Sequence, residues 1–206
     1  MSNRPKILVA CEYSGIVRDA FEQEGCNAWS CDLLPTERPN GKHLEGKVED
    51  FLLLQWDAVI AHPPCTYLAN SGVCHLETDI TRWPKLFKAA RFFRLFLEQT
   101  VRFIAIENPI MHGYGQQLIH QPYSQIVQPW MFGHMETKAT CLWLKNLPLL
   151  SPTNNVKEAM EKLPESQRQR LHYLPPSKDR WKERSRTFEG LATAMAKQWT
   201  PVIKNV

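Results

Sequence analysis

Short apolar runs recur along this chain, and each gives way to a polar or glycine-bearing turn. Lys6 to Ala10 (KILVA) has the pattern of a buried strand, and Glu12 to Gly15 forms a small polar turn after it. Ile16 to Gln23 places Ile16, Val17, Ala20 and Phe21 at helical spacing and stops before Gly25. Asn27 to Cys31 predicts a second strand, closed by Asp32 and a loop rich in proline and glycine. Asp57 to Ala61 (DAVIA) predicts a third, running straight into His62-Pro63-Pro64-Cys65. Lys85 to Gln99 carries the periodicity of an amphipathic helix, and Arg102 to Ile106 (RFIAI) is a fourth strand ending in Glu107-Asn108-Pro109.

Beyond Pro109 the pattern is sparser. Thr137 to Leu144 (TKATCLWL) predicts a further strand, and Asn154 to Tyr173 is charged and partly helical until Pro175-Pro176 breaks it. Arg186 to Trp199 predicts a closing helix with Leu191, Ala194, Met195 and Trp199 on its apolar face. Strands alternating with helices at these intervals predict an α/β fold with a mostly parallel sheet and helices on both faces. In such sheets ligands gather at the carboxyl ends of the strands. Glu12 to Gly15, Asp32, Cys65 and Glu107 all fall at those ends.

The 206 residues suit one domain, residues 1–206, with an ordinary hydrophobic core. An apolar fraction of 43% and a charged fraction of 22% place it among soluble globular proteins. No apolar run reaches the roughly 18 residues of a membrane span, and Met1 to Lys6 does not read as a secretory signal. A cytoplasmic location is the expectation. Six irregularly spaced cysteines without such a signal argue against a disulfide framework. The net charge is +4, and Lys145 to Arg184 accounts for all of it, with nine cations against five carboxylates. Such a segment suits a phosphate backbone or a solvated charged surface.

Cys65 is the sharpest chemical feature. A thiolate is a strong nucleophile, and two prolines before it fix its approach and lower the entropy of holding it against a planar target. Glu107, at the end of a neighbouring strand, is placed to hold or donate a proton on the same substrate. The turn Glu12-Tyr13-Ser14-Gly15, with Asp32 about 20 residues on, has the layout of a site for an adenosine-containing cofactor, although GxGxxG is absent. His62, Cys65, Cys74 and His75 include zinc-ligand types, but adjacent Cys74 and His75 make tetrahedral ligation awkward and no CxxC pair occurs, so no metal is expected.

Together these residues resemble the DNA cytosine-5 methyltransferase family. Pro64-Cys65-Thr66-Tyr67-Leu68-Ala69-Asn70-Ser71-Gly72 matches the length and ends of that family's Pro-Cys-Gln-x-Phe-Ser-x-(Ala/Ser)-Gly loop, and Glu107-Asn108-Pro109 resembles its Glu-Asn-Val signature. Asp32 and Asp50 stand where the family places its contacts to the ribose and adenine of S-adenosylmethionine. Cys11 to Gly15 occupies the family's glycine turn, and Gly190 with the helix after it resembles its last cofactor motif.

The resemblance implies a Rossmann-like fold that binds S-adenosylmethionine and methylates carbon 5 of cytosine in DNA after Cys65 adds to carbon 6. Glu107 would act at ring nitrogen 3. Glu12, Tyr13, Ser14, Gly15, Asp32, Asp50 and Pro63 would hold the cofactor, and Pro64, Asn108, Lys138 and Thr140 the flipped base. The chain departs from the pattern at His62, at Thr66 and in the first glycine of the cofactor turn. It lacks the family's Gln-x-Arg-x-Arg motif, for which Lys138 and Thr140 are the candidate replacements. Residues 145–184 fill the place of a full target-recognition domain, as in short phage-type members, which implies relaxed sequence specificity. Two other readings stay open: one-carbon transfer to a free pyrimidine nucleotide, and a non-catalytic binding module that keeps the cofactor site.

Overall fold

The computed structural model describes residues 4–205. Seven strands form one sheet: β1 (Lys6–Ala10), β2 (Asn27–Asp32), β3 (His43–Glu45), β4 (Ala58–Ala61), β5 (Phe103–Pro109), β6 (Gln125–Val127) and β7 (Thr140–Lys145). Their order is β3-β2-β1-β4-β5-β7-β6. Strands β1 to β5 pair in parallel, and β7 lies antiparallel between β5 and β6. This is a doubly wound, Rossmann-like arrangement with its last strand inserted in reverse.

Alternate residues of the buried strands feed separate cores. Ile7, Val9, Ala58, Ile60, Phe103 and Ala105 face one side of the sheet, where α1 (Ile16–Gln23) and α10 (Glu189–Lys204) pack through Val17, Phe21, Met195 and Trp199. Leu8, Ala10, Val59, Ala61, Ile104 and Ile106 face the other. That side is covered by α2 (Val48–Phe51), α3 (His75–Thr78), α4 (Arg82–Leu97) and α5 (Gly113–Ile119) through Val48, Leu76, Leu86, Phe93 and Ile119. The period-2 alternation of side chains across a strand explains why near-continuous apolar runs are needed here.

Boundaries move where tertiary contacts outweigh local pattern. Helix α4 starts at Arg82 rather than Lys85, because Pro84 falls in its first turn, where a missing N–H costs nothing. Strand β7 starts at Thr140 rather than Thr137. The Thr137 amide bonds Arg168 O (2.7 Å) and the Lys138 amide bonds Gln128 Oε1 (3.0 Å), so neither joins the ladder. Strand β5 continues through Glu107, Asn108 and Pro109, which pair with Leu142, Cys141 and Thr140 of β7. The closing helix starts at Glu189, leaving Arg186 and Thr187 outside it. The proline- and glycine-rich loop after Asp32 contains the three-residue β3, and β6 (QIV) is too short to give an apolar pattern.

Between β7 and α10 run four short helices: α6 (Lys157–Glu161), α7 (Glu165–Arg168), α8 (Arg170–Tyr173) and α9 (Arg180–Ser185). Pro175-Pro176 separates the last two. Among the described residues no helix is long and apolar enough to cross a membrane.

Candidate active site

Three parallel strands reach one level in register, where β1 and β4 end and β5 continues. Ala10 of β1 pairs with Ala61 of β4, which pairs with Ile106 of β5. The next residues, Cys11, His62 and Glu107, therefore form one row beyond the buried sheet. His62 Nδ1 lies 3.1 Å from Glu107 Oε2, and the two side chains are only 7% and 11% exposed. Burial opposes ionisation of Glu107, but the His62 hydrogen bond and the Lys138 ammonium outweigh it and hold the carboxyl below its ordinary value. With Glu107 ionised, the shared proton sits on His62 Nδ1. His62 Nε2 is buried without a hydrogen-bond partner among the described residues.

The loop after β4 carries the nucleophile candidate. Asn108, almost fully buried, donates from Nδ2 to Pro63 O (2.8 Å), tying the proline pair to β5. Leu68 N and Ala69 N both donate to Cys65 O (2.9 and 2.8 Å), closing a tight turn on the cysteine. His112 holds the same loop through Tyr67 O (2.9 Å). Burial raises the Cys65 pKa above its ordinary value, Glu107 raises it further, and Lys138 and Arg184 oppose both.

The β1 turn is shaped differently from a phosphate cradle. Cys11 adopts a left-handed backbone (φ 59°), a conformation that glycine takes without strain. Glu12 turns back to accept from Val17 N (2.6 Å), Arg18 N (3.2 Å) and Ser14 Oγ (3.1 Å). The N–H groups at the start of α1, where a pyrophosphate would bind, are thus filled by the chain's own carboxylate.

Residues 181–187 form a strap over these strand ends. Tyr13 donates to Lys182 O (3.0 Å), and its ring lies 5.9 Å from that of Trp181. Lys138 Nζ reaches Arg184 O and Arg186 O (3.0 and 3.4 Å). Arg186 is clamped by Glu37 (2.6 and 3.0 Å) and Glu183. Beneath the strap lies a cavity of about 100 Å³.

Of the residues singled out in the sequence, Glu12, Tyr13, Ser14, Pro63, Pro64, Cys65, Glu107, Asn108 and Lys138 border that cavity. Gly15, Asp32, Asp50 and Thr140 do not. Gly15 makes the positive-φ turn (φ 72°) into α1. Asp32 sits half-buried at the end of β2, its carboxyl accepting from Leu34 N (3.0 Å). Asp50 lies exposed on α2, and Thr140 stands behind Lys138, donating to its carbonyl (3.2 Å). His62, Arg184 and Thr187 border the cavity without having been assigned a role. The available signal was the polar cluster Arg184-Ser185-Arg186-Thr187 immediately before a helix. No group of three or more His, Cys, Asp or Glu side chains suited to a metal ion occurs among the described residues.

The chain matches no protein-family model and no curated protein. Among solved structures it is similar to the Schizosaccharomyces pombe Dnmt2 methyltransferase, at 13% identity and a TM-score of 0.46 over 88% of this chain and 62% of that one. It is also similar to the bifunctional kinase-methyltransferase WbdD, at 13% identity and a TM-score of 0.41 over 71% of this chain and 36% of that one. A TehB-like SAM-dependent methyltransferase from Corynebacterium glutamicum aligns at 14% identity and a TM-score of 0.31, over 70% of this chain and 82% of that one. The chain thus spans less than two thirds of the Dnmt2 and WbdD structures.

Proposed function

We propose that this protein methylates carbon 5 of cytosine in DNA, using S-adenosylmethionine as donor and Cys65 as nucleophile. The observation that carries the reading is the pairing of a proline-braced thiol with a buried, ionised Glu107 hydrogen-bonded to His62, around one cavity. Cytosine carbon 6 is a weak electrophile, so a sulfur must add there while the ring gains a proton at nitrogen 3. The thiol proton passes to His62 Nε2, and the proton on Nδ1 passes through Glu107 to nitrogen 3. Both proton positions are thereby served by neighbours on adjacent strands. Asn108 holds the Pro63 backbone, and so the direction from which Cys65 attacks.

The β1 turn fits a cofactor without phosphates, because Glu12 already occupies the start of α1. S-adenosylmethionine meets that condition. Asp32 would take its ribose hydroxyls, with Tyr13, Ser14, Gly15 and Pro63 along its length and Asp50 toward the adenine. Bound there, it supplies the methyl cation equivalent that carbon 5 receives. Nucleoside-sized ligands need several hundred Å³, so the strap must shift from its Tyr13 and Lys138 contacts to admit them. Residues 145–184 stand in for a target-recognition domain and add phosphate contacts to a flipped base held by Pro64, Asn108, Lys138 and Thr140.

The deciding experiment offers the protein DNA containing 5-fluorocytosine, together with S-adenosylmethionine. Fluorine cannot leave as a proton does, so the enzyme should stall as a covalent adduct, mapped by peptide mass spectrometry to Cys65. No adduct on DNA, with turnover of a free pyrimidine nucleotide instead, moves the substrate. No adduct and no turnover, with cofactor bound, leaves a binding module.

A further inference from the structure

We infer that the exposed face of α4 is a track for the phosphate backbone of the nucleic acid whose base enters the cavity, an inference that rests on the DNA reading above. The helix Arg82–Leu97 holds five cations, Arg82, Lys85, Lys88, Arg91 and Arg94, and no carboxylate. Arg94 alone pairs with an acid, Glu98 just beyond the helix (2.7 Å). Lys85, Lys88 and Arg91 are exposed and meet no carboxylate within ion-pair distance among the described residues. Solvated surface helices ordinarily interleave opposite charges, as α6 does with Lys157 and Glu161. The three cations Lys85, Lys88 and Arg91, none of them in an ion pair among the described residues, repel one another despite the Asp79 carboxylate near the start of the helix, and an external polyanion relieves that repulsion.

Spacing and position select the polyanion. Cations three residues apart rise about 4.5 Å along the axis and step back about 60° around it, so Lys85, Lys88 and Arg91 share one flank. Duplex DNA offers one phosphate charge per roughly 1.7 Å of axis, dense enough to meet each of them. The track begins at the nucleophile loop. The Arg82 guanidinium lies 5.0 Å and the Lys85 ammonium 6.0 Å from the ring centroid of Tyr67, two residues after Cys65. Phe87 and Tyr114, 53% and 43% exposed, pack on Trp83 beside it and give flat apolar surface for sugars or unstacked bases. An acidic protein surface would match the charge but has no reason to start at the loop carrying Cys65.

The test compares the wild-type protein, a Lys85→Gln/Lys88→Gln/Arg91→Gln variant, and a control that loses three exposed lysines elsewhere (Lys6→Gln/Lys47→Gln/Lys197→Gln). Binding to a fluorescein-labelled duplex is followed by anisotropy from 50 to 200 mM NaCl. The α4 variant should lose about 2 to 3 from the slope of log affinity against log salt, since each lost phosphate contact removes roughly 0.9. The control should keep the wild-type slope. An unchanged slope in the α4 variant, or equal losses in both variants, overturns the assignment of this face. A wild-type protein with no salt-dependent duplex binding overturns the DNA reading itself, a result distinct from failure of the track.

Discussion

Burial and the Glu107 charge keep the Cys65 thiol protonated at neutral pH, so its chemistry depends on a neighbour that can take the proton. His62 Nε2 is the acceptor proposed for it, since Nδ1 is committed to Glu107 and Nε2 is left without a hydrogen-bond partner among the described residues. In His62→Asn the rate of adduct formation at Cys65 should fall about 10² to 10⁴-fold at pH 7. The deficit should shrink as pH rises through 9, because a thiol ionised by bulk base no longer needs the imidazole. A loss that stays constant with pH would make His62 a packing residue only. Cys65 and Glu107 were legible in the sequence because each follows a run of buried strand residues. His62 registered there only as a zinc-ligand type set aside and as a departure from the family pattern, since its place beside Glu107 depends on how β4 and β5 pair, and register between strands 45 residues apart leaves no local trace.

Elements end where remote groups supply caps. Helix α10 begins after Phe188, whose side chain caps nothing, and its Gly190 amide donates to His134 Nε2 (2.9 Å) from the loop before β7. That partner lies 56 residues away, which is why local pattern placed the helix start at Arg186. Burial depresses the His134 pKa, against the opposing fields of Glu136 and Glu189. A depressed histidine pKa means the unfolded chain binds the proton more readily. The associated stability is full above the ordinary value of 6.5 and is lost as pH falls through that value toward the folded one. Thermal unfolding between pH 7.5 and 5.5 should show this loss in the wild-type protein, and His134→Gln should flatten it. Gly190 is required for a second reason, because a Cβ there would fall inside the Phe132 carbonyl oxygen.

Across the whole molecule, the two faces of the sheet depend on distant parts of the chain. One core joins Ile7, Val17 and Phe21 near the start to Met195, Trp199 and Ile203 near the end. Trp199 is fully buried, and its indole donates to Pro148 O (2.9 Å). Trp199→Ala should cost about 3 to 5 kcal/mol in urea denaturation and lower the midpoint of one common transition, because no separate unit can unfold alone around it. Two transitions would show that the halves are independent. The alternation of strands and helices made this architecture readable from the sequence. The reversed β7 and the strap were not readable, because both are held by pairings with no sequence periodicity behind them.

The strap has a consequence for how the protein comes into being. Cys65 and Glu107 leave the ribosome before the chain that roofs them, Arg184–Thr187, and before the helix that seals the β1 face. A nascent chain therefore carries the Cys65 thiol before any Arg184 lies above it. Contacts between such distant segments also slow folding. During synthesis the Cys65 thiol is thus present before the segment that encloses it.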